Sequence, residues 1–293
     1  MSFIIEQQCL SIRDIQLAME VYRPESPSHT VIALHGWLDN AASFSLLAPY
    51  FASANIQVIA VDLAGQGLSD MRPLQASYHL WDDAVDVLAI ANQLDLDNFS
   101  LIGHSRGAMI ATMLTVSLSD TGRVQALINL DGLLPLPIDI EDDAEQFKRF
   151  VNGFQSRKAS RQFKTREEAI SVRAKAANMT PVAVEYLAQR GLIESDQGFS
   201  WRIDERLKIA SAMKQTAAHN QQWLLLLRQQ IQQQALRCRI IMAEQGLAQM
   251  PELISCAKTY PELDWQYFAG GHHQHMQQQA DSIAQSCLQL LTF

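Results

Sequence analysis

Phe99-Ser100-Leu101-Ile102-Gly103-His104-Ser105-Arg106-Gly107-Ala108-Met109-Ile110-Ala111-Thr112-Met113-Leu114 is the stretch that decides the fold of this chain. The apolar run 99–102 reads as a buried strand and 108–114 as a helix. Between them lies small-x-Ser-x-small, the pattern of a nucleophile elbow. In such an elbow the serine sits on a sharp, strained turn, and glycines leave no Cβ where strand and helix approach closely. The turn would hold the Ser105 hydroxyl out of the sheet. The same five residues also suit an ordinary strand-to-helix turn or a phosphate cradle, so the flanking sequence has to discriminate.

Upstream, Thr30-Val31-Ile32-Ala33-Leu34 reads as a buried strand followed directly by His35-Gly36-Trp37. Trp37 follows His-Gly and Arg106 follows Ser105, the two places from which backbone N–H groups form an oxyanion hole. Trp37 read alone is equally a core aromatic. Downstream, Asp264-Trp265-Gln266-Tyr267-Phe268 alternates like a strand and runs into Gly270-Gly271-His272-His273-Gln274-His275-Met276. That loop offers three candidates for a general base: His272, His273 and His275. A metal site is disfavoured, because no cysteine or second histidine-rich segment lies nearby in sequence. His35 and His104 belong to glycine turns and are expected to shape them.

Taken in order, His35-Gly36-Trp37, then Asp62-Leu63-Ala64-Gly65-Gln66-Gly67-Leu68-Ser69-Asp70, then Gly103 to Gly107, then Gly270 to Met276, the chain resembles the α/β-hydrolase-fold superfamily from about residue 30 onward. Within it, the chain most resembles the serine hydrolase-like proteins. Two short insert segments, Tyr186 to Gly191 and Ile203 to Leu207, add to that likeness. The resemblance implies a mostly parallel eight-stranded sheet flanked by helices, with an inserted helical cap. It also implies Ser105 as nucleophile and, through the usual Gly-His pattern, His272 as base ahead of His275 and His273.

Two positions compete for the acid. Many relatives show Gly-x-x-Asp after the strand that here reads Cys238-Arg239-Ile240-Ile241-Met242-Ala243, but this chain continues Glu244-Gln245-Gly246-Leu247-Ala248 with no aspartate. The other place is the end of the strand before the cap, where Ala126 to Leu130 delivers Asp131. Asp131 is therefore the expected orienter of the histidine, with Glu244 as the alternative.

Composition bounds the rest. A chain of 293 residues with 48% hydrophobic content can bury one large core plus an insertion. Its net charge of −8, without a Lys/Arg block, argues against a nucleic-acid partner. Cys9, Cys238, Cys256 and Cys287 lack C-x-x-C spacing and read as reduced thiols. The start has no basic, apolar leader, and no run approaches the ~20 residues of a membrane span. These features predict a cytoplasmic protein without membrane contact, and the resemblance implies a small-molecule substrate and no cofactor or metal.

Strand and helix patterns alternate as in a parallel sheet covered on both faces. A hairpin is expected over 4–10 and 15–22, strands over 30–34, 57–61 and 99–102, and helices over 42–52 and 78–94. In the last, Leu80, Ala84, Val87, Leu88, Ala91 and Leu94 form the sheet-facing stripe. From Leu133 to Leu236 no convincing strand occurs. The spacing there predicts helices beginning near Glu141-Asp142-Asp143 and at Thr180-Pro181, and one over Trp223 to Leu236 with a glutamine-rich polar face. The expected organisation is core 1–132, helical cap 133–236 and core 237–293.

The chemistry expected from these parts is carboxylic ester hydrolysis through an acyl-enzyme. Thioester or carbon–carbon bond hydrolysis would need the same residues. A non-catalytic small-molecule binder of the same fold is the rival of a different class.

Overall fold

The computed structural model describes residues 2–156 and 159–292. Alternating side chains make Phe3–Ile12 (β1) and Ile15–Pro24 (β2) an antiparallel hairpin, with Phe3 opposite Pro24 and Ile12 opposite Ile15. The apolar runs His29–Leu34 (β3), Ile56–Val61 (β4), Phe99–His104 (β5) and Val124–Leu130 (β6) are buried almost throughout, as strands covered on both faces must be. Between them run the helices Ala48–Ser53 (α1), Leu80–Gln93 (α2) and Arg106–Ser117 (α3). After β6 the chain leaves the sheet and returns only for Arg237–Ala243 (β9), Pro251–Thr259 (α8), Trp265–Phe268 (β10) and Ala280–Leu291 (α9).

The sheet has eight strands in the order β1-β2-β4-β3-β5-β6-β9-β10. From β4 to β10 every pairing is parallel. This is the α/β-hydrolase architecture expected from the motifs. The chain reverses its direction of travel across the sheet after β4, so β5 lies beside β3. The C-terminal ends of these two central strands therefore face one crevice, the usual place for a site in an open α/β sheet. Apolar side chains pack both faces, with Leu101, Ile110 and Val87 on one and Ala33, Phe44, Ile128 and Ile283 on the other.

The 42–52 stretch departs from expectation. Ala41–Phe44 forms a 3-10 turn and α1 starts only at Ala48, because Pro49 has no N–H for a continuous helix and suits a first turn. The segment between β6 and β9 carries Asp143–Gln155 (α4), Arg166–Ala177 (α5), Pro181–Gly191 (α6) and Ala217–Gln232 (α7). Thr180 caps α6 by accepting the Ala183 N–H at 3.2 Å. This segment is not wholly helical, since Leu192–Ser195 (β7) and Gly198–Trp201 (β8) form a short hairpin. Its turn, Asp196-Gln197-Gly198, needs the positive φ of 104° that glycine supplies.

The two insert segments that resemble the serine hydrolase-like proteins hold the insertion to the sheet. Arg190 of α6 donates through Nε to both oxygens of Asp62, at 2.8 and 3.0 Å, and that carboxylate is fully buried. Arg206 pairs with Asp204 and donates to the carbonyls of Arg72, Pro73 and Ala76, while Tyr78 Oη donates to Asp204 at 2.8 Å. Among the described residues no helix is long and apolar enough to cross a membrane. Cys9, Cys238, Cys256 and Cys287 are all free thiols.

Candidate active site

Ser105 joins β5 directly to α3 with φ 51° and ψ −111°, a conformation L side chains rarely adopt. The turn closes because its glycines permit it. A Cβ on Gly107 would lie 2.0 Å from the Leu34 carbonyl oxygen, and one on Gly103 would lie 2.3 Å from that of Gly107. Ser105 thus stands at the N-terminus of α3, where first-turn N–H groups have no intrahelical acceptor. The Arg106 N–H is one of these. The Arg106 side chain turns away and donates to Asp83 of α2 at 2.6 Å, a buried carboxylate that also takes Arg72 at 3.0 Å. Sequence periodicity missed this ion cluster, since Asp83 and Asp86 fall beside an otherwise apolar stripe.

On the β3 side, His35 is fully buried and spends both ring nitrogens on the backbone. Nδ1 donates to the Gly36 carbonyl at 2.7 Å and Nε2 accepts the Leu63 N–H at 3.0 Å. Burial lowers its basicity below that of a free histidine. Trp37 is half exposed, with its indole N–H on the Leu207 carbonyl at 2.9 Å. It is therefore not a core aromatic but a link between the loop after β3 and the insertion.

The three histidines of the C-terminal loop part company. His272 Nδ1 lies 2.5 Å from Asp131 Oδ2. His273 Nε2 lies 3.2 Å from Asp39 Oδ2, and His275 Nε2 lies 2.9 Å from Ser43 Oγ deep in the protein. Full burial holds His275 well below the usual imidazole range. Of the three, His272 alone meets a candidate acid, and it keeps part of its ring open to solvent.

Asp131 is fully buried at the end of β6. Its Oδ1 accepts the Ala243 N–H at 2.9 Å and its Oδ2 the Leu247 N–H at 3.0 Å. The end of β9 and the turn after it thus supply amide groups in place of an acid of their own. Gly246 makes the room, since a Cβ there would lie 2.3 Å from Asp131 Oδ2. Glu244 is exposed, and its main chain, through the N–H to Phe268 and the carbonyl to Gln249, serves the turn. The structure brings Asp131 to His272 and leaves Glu244 outside.

Ser105 and His272 line one cavity of about 400 Å³ together with Asp39, His104, Arg173 and His273. Among the described residues no hydrogen bond joins Ser105 Oγ to the His272 ring. Such contacts are often long before substrate binds. A second cavity of about 300 Å³ opens on the other side of Ser105, with Met109, Met113, Trp81, Leu136 and Met213 in its wall. Trp37 borders both cavities.

His104 does more than shape its turn. Its Nε2 lies 2.9 Å from the His272 carbonyl oxygen, and burial lowers its pKa to about 4. Asp39, which the motifs did not single out, links His273 to Arg173 of α5, at 2.7 Å from Arg173 Nη2. Its carboxyl stays well below the usual range: burial alone would raise it, and His273 and Arg173 outweigh that. Neighbours along the chain do not reveal this cluster, because the fold brings Asp39 from the loop after β3 and His104 from the end of β5 to His273.

The alpha/beta hydrolase fold family matches residues 29–279. A probable serine hydrolase of Drosophila melanogaster is 30% identical over 72% of this chain and 63% of its own length. A serine hydrolase-like protein of Danio rerio is 30% identical over 62% of this chain and 58% of its own. The chain thus spans less than two thirds of these curated relatives. A crystal structure of a hypothetical protein from Pseudomonas aeruginosa PAO1 covers 98% of both chains at 35% identity, with a TM-score of 0.86. The chain belongs to the α/β-hydrolase fold family and, within it, is similar to the serine hydrolase-like proteins.

Proposed function

We propose that this chain is a serine hydrolase that cleaves a small-molecule carboxylic ester through an acyl-enzyme. One observation carries the reading. Ser105 is held in a strained elbow, in one cavity with a histidine whose Nδ1 lies on a buried carboxylate. The names of the serine hydrolase-like relatives support the same class.

A serine hydroxyl is a weak nucleophile until a base takes its proton. With Asp131 holding Nδ1–H, the His272 tautomer leaves Nε2 free to accept the Ser105 proton as Oγ bonds to the acyl carbon. The electron pair of the carbonyl moves onto its oxygen, which is met by the N–H groups of Trp37 and Arg106. Losing one such donor typically costs about 3 kcal/mol of transition-state stabilisation. Collapse breaks the bond to the leaving alkoxide, which takes the proton from His272. Water then gives its proton to Nε2 as it attacks the acyl carbon, and the second collapse breaks the bond to Ser105 Oγ, which takes that proton from His272 as the acid leaves. The methionine-lined cavity suits an apolar acyl or alcohol part, since the flexible thioethers adapt to irregular shapes. The insertion, as a cap over 133–236, would exclude water from this chamber.

A panel of p-nitrophenyl and alkyl esters of increasing acyl length, with matched thioesters, tests the reading. Ester turnover with a burst of alcohol before steady state is expected. Preferred thioester cleavage would move the substrate class, and no turnover of any acyl substrate would favour a binding protein.

A further inference from the structure

His104 lies at the centre of the histidine cluster, with ring centroids 4.7, 4.8 and 4.3 Å from those of His272, His273 and His275. Its Nε2 faces the His272 carbonyl, which can only accept a hydrogen bond. Nε2 therefore carries the ring proton and Nδ1 is a bare lone pair. That Nδ1 is buried without a hydrogen-bond partner, in a side chain 1% exposed. It faces Asp39 Oδ2 at 3.7 Å, which is a second acceptor. Two lone pairs that face each other at a buried position are an unfavourable pair, and a cation between them turns both into ligands.

A third donor is in place. His273 Nε2 approaches the same Asp39 Oδ2 at 3.2 Å, and the three atoms all lie within 4.8 Å of one another. A tetrahedral ion with bonds of about 2.0–2.1 Å keeps its ligand atoms about 3.3 Å apart, so 3.2 and 3.7 Å are near the edges of such a site. Two imidazoles and one carboxylate are a donor set that suits zinc-like ions rather than calcium or magnesium. The hydrogen bond from His104 Nε2 to a backbone carbonyl is the outer-shell contact that metal-ligating histidines usually make. Arg173 holds the other oxygen, Oδ1, and so leaves Oδ2 for the ion.

We propose that Asp39 Oδ2, His104 Nδ1 and His273 Nε2 bind a divalent transition ion of the Zn2+ class, with its fourth position open to the cavity shared by Ser105 and His272. Binding requires His273 to present Nε2 as a lone pair, with the ring proton on Nδ1. The ion and its exogenous ligand occupy space beside Ser105, and an occupied site hinders acyl substrates. The site itself does not depend on the hydrolase reading.

Co2+ titrated into metal-free wild-type protein reads the site directly. The intense visible bands of a four-coordinate ion are expected, lost on adding one equivalent of Zn2+ and unchanged in Ser105→Ala. His273→Gln and Asp39→Asn should weaken Zn2+ binding by at least about tenfold in calorimetry. Only the weak bands of the hydrated six-coordinate ion, or undiminished Zn2+ binding in folded His273→Gln, would overturn the proposal. Should the variants not fold, an anomalous map of Zn2+-soaked wild-type crystals decides. A peak among the three atoms supports the site, and its absence there sinks it.

Discussion

Asp131 and His272 stand 141 residues apart in sequence and 2.5 Å apart in space, Oδ2 to Nδ1. The contact bridges the end of β6 and the loop after β10, and the amide groups of Ala243 at the end of β9 and of Leu247 just beyond it hold its carboxylate. This carboxylate therefore comes from one strand and its support from the next.

Asp131→Asn should preserve the shape of this bridge while favouring the wrong imidazole tautomer. Turnover should fall by about four orders of magnitude, the loss known for the equivalent change in a serine protease. Glu244→Gln, at an exposed position, should change turnover less than about threefold. Steady-state kinetics on one ester compares the two, and a larger loss in Glu244→Gln contradicts the assignment.

Among the loop histidines, His272→Ala should lower turnover by about 10²–10⁴-fold, the range of a lost general base. His275→Ala should act instead on stability, because it opens a buried hole beside Phe44 and leaves Ser43 unpaired. Kinetics and urea unfolding on both proteins separate these effects. An inactive but stable His275→Ala with an active His272→Ala would show that the base is misassigned.

What was legible in the sequence were the elements whose signal is local. The elbow announces itself through glycines at fixed offsets, and the buried parallel strands through apolar runs that match their observed bounds closely. The short hairpin β7–β8 is hard to read because its two four-residue strands, β7 mostly exposed and β8 half-buried, carry little apolar periodicity. The acid stayed ambiguous for a different reason. Only the folded turn shows that Gly246 makes space and that backbone amides replace the missing aspartate. Asp39 was invisible as a partner of His104 and His273 because chain proximity says nothing about loops that meet above a sheet.

Arg190→Met should destabilise the protein by about 3–5 kcal/mol, because it leaves the fully buried Asp62 carboxylate without its cation. Asp62 also accepts the Ala41 and Leu68 N–H groups, so it cannot simply turn to solvent. Urea unfolding midpoints test this, and a shift within the scatter of surface substitutions would contradict the role given to the pair.

Stability should fall as pH falls below the ordinary histidine value of 6.5. His35 and His104 are both held neutral by burial, with His104 lowered to about 4. Through that window the unfolded chain binds protons that the folded protein does not, so stability rises with pH and is lost on acidification. For His104 the loss levels off below about pH 4. Unfolding midpoints at pH 7.5, 6, 5 and 4.5 should decline steadily, and a flat profile would mean that these rings are protonated in the fold.

Reaction of the folded protein with a fluorophosphonate, followed by mass mapping of the adduct, tests the central claim most directly. Stoichiometric labelling of Ser105 in the wild type is expected, with none in Ser105→Ala and very slow labelling in His272→Ala. Folded wild-type protein that stays unlabelled, or an adduct on another residue, would contradict an activated nucleophile at Ser105.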